Sequence, residues 1–222
     1  MELVFQILAK YRYAFLSGLL ETIRLTLIIW ASGILIGGLI GVLSARYKSM
    51  VGVPVRLIAF VLSGIPILVF LFWAHFPLQV SLGIVVDPFY TAAAVLSLVN
   101  ILAVSDLLRS YIIDFPQQYE IAAKVCGLDR RTFIWRIQIP ILLRQLLPAL
   151  LPLQIVMLHT TLFASLISVE EIFRVSQRIN AIEYKPVHIY TALAIFFLAI
   201  SLPVNALAIW LRLRYTRDMS ER

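Results

Sequence analysis

Cys126 is the only cysteine in the chain, so no internal disulfide can form and the redox compartment leaves no mark on the sequence. Charge is scarce: Asp, Glu, Lys and Arg make up 14% of the 222 residues. No Gly-x-x-x-x-Gly-Lys-Ser/Thr run occurs, which argues against ATP binding and hydrolysis by this chain alone. His75, His159 and His188 have no metal-ligand spacing among themselves, and no Ser or Cys has a partner visible in sequence for nucleophilic chemistry. No internal repeat or low-complexity linker divides the chain, which predicts one domain over residues 1–222. The absences argue against a self-contained ATPase, a metalloenzyme and a nucleophilic hydrolase, and predict a protein that is not an enzyme; an intramembrane enzyme would need a Ser-His or metal pair at matching depth.

What the chain does have is apolar length. Hydrophobic residues make up 61% of it and its mean hydropathy is +0.94, well above the roughly 45–50% apolar content of soluble domains. A bilayer core about 30 Å thick needs about 20 apolar helical residues. Leu25–Leu43, Leu57–Phe76, Phe89–Ser105, Leu146–Val169 and Ile189–Leu211 approach or exceed that length without a single Asp, Glu, Lys or Arg. Their Gly and Pro residues are compatible with helices, because neighbouring helices can satisfy the freed backbone groups. The prediction is an all-α polytopic membrane protein with five transmembrane helices. The first run is longer than the apolar core of a signal peptide and no small-residue cleavage pattern follows it, so it is expected to stay.

The net charge of +7 reads through its distribution rather than as a nucleic-acid footprint, and no nucleic-acid partner is predicted. Arg46, Lys48 and Arg56 follow the first stretch, Arg109, Lys124, Arg130, Arg131, Arg136 and Arg144 surround the central loop, and Arg212, Arg214, Arg217 and Arg222 end the chain. Fewer basic residues fall on the other side, and the loop from Phe76 to Pro88 has none. Because Lys and Arg accumulate on cytoplasmic loops, the N-terminus is expected outside, with the central loop and the C-terminus in the cytoplasm. Before the first stretch, Leu3, Val4, Ile7, Leu8 and Tyr11 recur at helical spacing opposite Gln6, Lys10 and Arg12. That pattern fits either a helix lying in the outer membrane interface or a frayed terminus.

The central loop, about residues 113–140, is the most polar part of the chain. Pro116 can start a helix, Glu120 and Lys124 form an i,i+4 pair on its wet face, Gly127 can take the left-handed geometry that ends it, and Asp129 can cap the next helix. Phe133, Ile134 and Ile137 make an apolar stripe among Arg130, Arg131 and Arg136. The reading is helix, turn, helix: either an amphipathic hairpin resting on lipid head groups or a docking element for a soluble partner.

Polar groups inside apolar stretches are expensive and attract functional hypotheses. His159, with Thr160, Thr161 and Ser165 close behind it, could donate to a substrate carboxylate or accept from an ammonium, or it could be a packing histidine bonded to a neighbouring helix. Asn100 and Asn205 read first as interhelical hydrogen-bonding residues, and Pro148 and Pro152 predict a kink. Asp106 and Arg109 are spaced for a helix-end ion pair. Glu170 and Glu171 close the fourth stretch on the outer side, where they could meet an extracytoplasmic protein or simply be solvated.

The order of residues adds to this. "AAKVCGLDRRTFIWRIQIP" resembles the cytoplasmic signature of ABC-importer permeases, with Ala122, Ala123, Gly127, Phe133, Ile137 and Pro140 at matching positions. "GLLETIRLTLIIW", "FVLSGIPILVFLFWAHF", "DLLRSYIIDFP", "LRQLLPALLPLQIVMLHTTLFASLISVEEI" and "EYKPVHIYTALAIFFLAISL" resemble, in order, segments of the polar amino acid branch of that superfamily. The resemblance covers nearly the whole chain.

It implies a multi-pass permease in a bacterial inner membrane, surrounded by membrane lipid and holding no cofactor itself. ATP and Mg would belong to a dimer of ATP-binding cassette subunits, engaged through Glu120, Ala122, Ala123, Lys124 and Gly127. A second permease and an extracytoplasmic substrate-binding protein would complete the importer. Its cargo would be a polar or charged amino acid, or a related compound such as an opine. The pathway residues it points to are His159, Thr160, Thr161, Ser165 and Asn100.

The sequence departs from the family at three places. Ile121 replaces the Glu of the Glu-Ala-Ala run, Ser63 replaces the Arg before Gly64, and Leu158 and His159 replace a Lys-Asp/Asn pair in the fourth stretch. The second permease is therefore expected to be a more typical paralogue, with a diverged homodimer of this chain as the alternative. A stand-alone channel or secondary transporter, the alternative, would need an ion-coupled carboxylate in the membrane, and the five stretches contain none.

Overall fold

The computed structural model describes residues 2–216. Arg217 and Arg222, which enter the charge distribution above, lie outside the described residues. Among the described residues every regular element is helical. Four helices are long and apolar enough to cross a membrane: α2 (Arg12–Arg46), α5 (Pro88–Ile113), α7 (Arg130–Ile167) and α9 (Pro186–Tyr215). Around them lie α1 (Glu2–Lys10), the bent pair α3 (Lys48–Ser63) and α4 (Ile67–Leu82), α6 (Gln117–Val125) and α8 (Ile172–Glu183).

The stretch Leu57–Phe76, expected as one continuous span, is broken: α3 and α4 meet at 94°. The cause is local. Pro66 has no N–H to continue a helix and biases Ile65 away from helical geometry. The end of α3 tightens instead, with Gly64 N donating to Val61 O at 3.3 Å and Ile65 N to Leu62 O at 3.1 Å. Pro66 then opens α4 from an extended conformation, φ −55° and ψ 134°.

Three glycines fix how α2 lies on α5. A Cβ on Gly33 would fall 2.1 Å from Asn100 Nδ2, one on Gly37 2.6 Å from Ile101 O, and one on Gly41 2.9 Å from Ser105 O. This is the small-residue seam that lets membrane helices approach backbone to backbone. The partners ascend in the same order on both helices, so α2 and α5 run parallel. The chain leaves α2 at Arg46 and must reach the opposite end of the bundle before α5 starts at Pro88. The α3–α4 pair makes that journey despite its bend. Helix α7 runs back against α5, Gln154 meeting Asn100, and α9 runs back against α7, Ser201 meeting His159.

The main core packs Leu25, Ile29, Leu71, Leu96, Met157 and Ile167 between these helices. A second cluster, including Ile7, Phe15, Val175, Ile179 and Ile189, holds α1 and α8 at one end of the bundle. There α1 is pinned rather than frayed: Lys10 Nζ and Tyr11 OH both donate to Glu183 Oε1, at 2.6 and 2.7 Å. The central loop projects from the other end.

Candidate coupling hairpin and polar sites in the bundle

Helix α6 begins after Pro116, whose missing N–H would be unpaired there anyway. Glu120 Oε1 and Lys124 Nζ pair at 2.9 Å on its exposed face, and that hydrogen bond holds the Glu120 carboxyl below its ordinary value. Gly127 ends the helix at φ +71°, where a side chain would be strained. Asp129 Oδ2 then accepts from Arg131 N and Thr132 N, both at 3.1 Å, and caps the return. Phe115 lies against both Tyr119 and Phe133, ring centroids 5.6 and 6.3 Å apart, and closes the base of the hairpin.

The return arm differs from the expected separate helix. It runs without interruption from Arg130 to Ile167. Pro140 cannot donate to the Arg136 carbonyl, and a π-turn over Ile134–Gln138 takes up the irregularity in place of a break. The hairpin is therefore rigidly continuous with a membrane-length helix. The alanine pair is divided: Ala123 is buried, while Ala122 is exposed beside exposed Ile121, Val125 and Cys126.

The five residues singled out in the apolar stretches fall into three environments. Asn100 is fully buried and joins three helices, donating to Ile29 O at 2.8 Å and Gln154 Oε1 at 3.0 Å, while Gln154 Nε2 donates back to Asn100 Oδ1 at 3.2 Å. Trp30 Nε1 adds a bond to Gln154 O at 2.9 Å. Thr160, Thr161 and Ser165 are buried, and their hydroxyls donate to the carbonyls of Met157, Leu158 and Leu162, all at 2.7 Å. Only His159 is exposed. Its Nε2 lies 3.0 Å from Ser201 Oγ and its ring meets Phe197 edge-on at 5.8 Å.

Other polar groups lie beside these. The inside of the α3–α4 bend opens a cavity of about 720 Å³ against α5, apolar at Phe60, Phe70 and Leu102, with Ser63 in its wall and Arg56, Asp106 and Arg109 also lining it. Arg109 Nη2 and Asp106 Oδ1 are paired at 3.0 Å. At the opposite end of the bundle Gln79 Nε2 donates to Thr91 Oγ1 at 2.9 Å and Val86 N to Gln79 Oε1 at 2.9 Å, with His75 Nδ1 3.2 Å from Gln79 Nε2. This ties the turn before α5 to α4. Of the two neighbouring acids, only Glu170 is exposed, paired with Arg178 at 2.9 Å. Glu171 is fully buried and caps α8 through Phe173 N and Arg174 N at 2.9 and 2.8 Å. The expectation that both could meet an outside protein holds in geometry for Glu170 alone. Gln154 and Gln79 were missed in sequence, where an amide in an apolar run gives no sign of its partner. The spacing of Gly33, Gly37 and Gly41 is the sequence signal of the close approach between α2 and α5. Among the described residues no group of three or more His, Cys, Asp or Glu could hold a metal.

Residues 33–220 match the binding-protein-dependent transport system inner membrane component family. The chain is 30% identical over 193 residues to the glutamine transport system permease protein GlnP of Escherichia coli (strain K12), covering 84% of this chain and 88% of that one. It is 24% identical over 202 residues to the octopine transport system permease protein OccM of Rhizobium radiobacter, covering 87% and 82%. The fold matches a chain of an amino acid ABC transporter crystallised with histidines, at a TM-score of 0.79 and 24% identity over 93% of this chain and 96% of that one. It also matches a chain of the inward-facing MetNI methionine ABC transporter, at a TM-score of 0.73 and 16% identity over 93% and 98%.

Proposed function

The chain belongs to the binding-protein-dependent transport system inner membrane component family, and from that premise we propose that it is the permease half of an ATP-driven importer for a polar amino acid or an opine. The class of cargo follows the glutamine and octopine permeases to which it is similar. Hydrolysis of ATP with Mg belongs to a separate dimer of ATP-binding cassette subunits. A second permease, a homologous paralogue, completes the pathway, and an extracytoplasmic binding protein delivers cargo to the end that carries α8 and exposed Glu170. The hairpin end faces the cytoplasm, where Lys and Arg accumulate, and the α3–α4 pair counts as one of five spans.

The observation that carries this reading is the hairpin itself. A short helix with outward-facing Ala122 is held by Phe115, Gly127 and Asp129 and joined rigidly to a 38-residue helix. Such a lever can turn a push on α6 into a rotation of the bundle, as alternating access requires. Of the five pathway candidates, exposed His159 is the one placed to meet cargo or the second permease, and buried Asn100, Thr160, Thr161 and Ser165 shape the bundle behind it.

The sole cysteine supplies the test. Cys126 is exposed at the tip of α6, so the unmodified protein can be fitted there with a benzophenone maleimide, assembled with its genomic neighbours and illuminated. The expected product is an adduct with a nucleotide-hydrolysing subunit. Adducts with lipid alone, in a preparation where that subunit co-purifies, would overturn the coupling assignment.

A further inference from the structure

Serine and threonine hydroxyls within helices commonly give their proton back to a carbonyl of the preceding turn, and this bundle follows that habit. Thr22, Thr26, Thr160, Thr161, Ser165 and Thr191 each donate to a carbonyl three or four residues earlier on their own helix. Ser201 departs from it. It is buried on α9, and its hydroxyl lies 3.0 Å from His159 Nε2 on α7 instead. Both residues fall near the middle of the runs Leu146–Val169 and Ile189–Leu211, which contain no Asp, Glu, Lys or Arg to compete for either.

A buried hydroxyl among apolar helices needs an acceptor for its proton, and among the described residues the acceptor Ser201 meets is the imidazole nitrogen. A neutral imidazole has one N–H and one lone pair, and the bond made by one nitrogen decides which of them keeps the proton. With Nε2 accepting from Ser201, the proton sits on Nδ1. Phe197, one turn before Ser201 on α9, meets the imidazole edge-on at 5.8 Å, so α9 holds the ring through two contacts. Nδ1 itself meets no partner among the described residues, and His159 is exposed. We infer that Ser201 is a positioning residue that fixes His159 as an Nδ1–H donor, the form that binds the carboxylate of an amino acid cargo and not its ammonium. The inference rests on the reading that His159 meets cargo. A donor bonded to a carboxylate gains the added strength of a charged acceptor, whereas an ammonium needs the lone pair that Ser201 already occupies. The pair also meets the bare requirement of an intramembrane hydrolase. A nucleophilic serine, however, needs access to substrate and an imidazole oriented through its other nitrogen; Ser201 is buried and Nδ1 has no such orienting partner among the described residues.

With only His75, His159 and His188 in the chain, the tautomer can be read directly. The full-length protein, carrying histidine labelled with carbon and nitrogen isotopes, is reconstituted in lipid bilayers with unlabelled subunits from the neighbouring genes and studied by magic-angle-spinning NMR. A protonated nitrogen bonded to Cγ identifies Nδ1–H, one bonded to Cδ2 identifies Nε2–H, and loss of the signal in H159Q assigns it. The unmodified protein should show Nδ1–H at His159. S201A should shift the population to Nε2–H, and S201T, which keeps the hydroxyl, should preserve Nδ1–H. Millimolar L-glutamine or octopine should move the Nδ1 resonance, and L-glutaminol, with an alcohol in place of the carboxylate, should not. Nε2–H in the unmodified protein, or protons on both nitrogens, would overturn the inference even if S201A did not fold. Nδ1–H unchanged in folded S201A would remove Ser201 from its role, and equal shifts with glutamine and glutaminol would overturn the carboxylate assignment. A Ser201-dependent Nδ1–H that responds to neither glutamine nor octopine would instead overturn the reading that His159 meets cargo, and the carboxylate assignment with it.

Discussion

Glu171 is an acid placed where an acid is costly. Burial pushes its carboxyl from 4.5 up to about 7, helped by the neighbouring charge of Glu170, while the N–H groups of Phe173 and Arg174 pull the other way without balancing it. The sign of the effect on stability follows from linkage. Below about pH 4.5 the carboxyl is neutral in both folded and unfolded chains, and burying it carries no ionisation penalty. Between about 4.5 and 7 the unfolded chain gives up its proton and the folded one keeps it, so stability falls as pH rises. Above 7 the loss stays constant at about 3 kcal/mol. In detergent, the melting temperature of the unmodified protein should drop relative to that of E171Q between pH 5 and 7.5. A constant difference between the two across that range would show that Glu171 does not titrate as its burial requires.

The hairpin gives two adjacent alanines opposite roles. Ala122 faces out and Ala123 faces in. A122F adds bulk where nothing in this chain is displaced and should shift stability by about 0.5 kcal/mol or less, yet reduce recovery of the ATPase subunit by tenfold or more. A123F forces a ring into a buried position and should cost about 1–3 kcal/mol, read as a lowered melting temperature. If A122F retained the ATPase fully, α6 would not dock through this face. The hairpin was legible in sequence because its corners demand particular chemistry: a residue at φ +71° favours Gly127, and a cap with two N–H groups to satisfy favours Asp129. Which alanine faces out depends on Phe115, in the link before α6, and Phe133, in α7, closing on each other across the base of the hairpin, and no local pattern carries that. The continuity through Pro140 was hidden for a related reason. Proline signals a break unless a π-turn absorbs it, and that choice is made by packing.

Apolar length made the membrane class plain, but length alone could not distinguish a straight span from the 94° bend at Gly64–Ile65–Pro66. The bundle resolves this through the order of contacts. Gly33, Gly37 and Gly41 meet Asn100, Ile101 and Ser105 in ascending order, so Arg46 and Ile113 lie at one end and Arg12 and Pro88 at the other. A re-entrant pair would return the chain to the Arg46 end and leave α5 antiparallel to α2, breaking every one of those contacts. The pair must therefore carry the chain across, which puts Ser81 and Cys126 on opposite faces. Both are exposed, so the two residues can report sidedness in intact cells with a membrane-impermeant maleimide. Cys126 should react only after permeabilisation, because the hairpin end carries most of the positive charge. C126S/S81C should reverse the pattern and react from outside without permeabilisation. Labelling of both sites from outside would assign α3 and α4 to a re-entrant loop and refute the parallel seam between α2 and α5. Labelling of Cys126 from outside and of Ser81→Cys only after permeabilisation would keep the fold and invert it in the membrane, setting the hairpin beyond reach of any cytoplasmic ATPase.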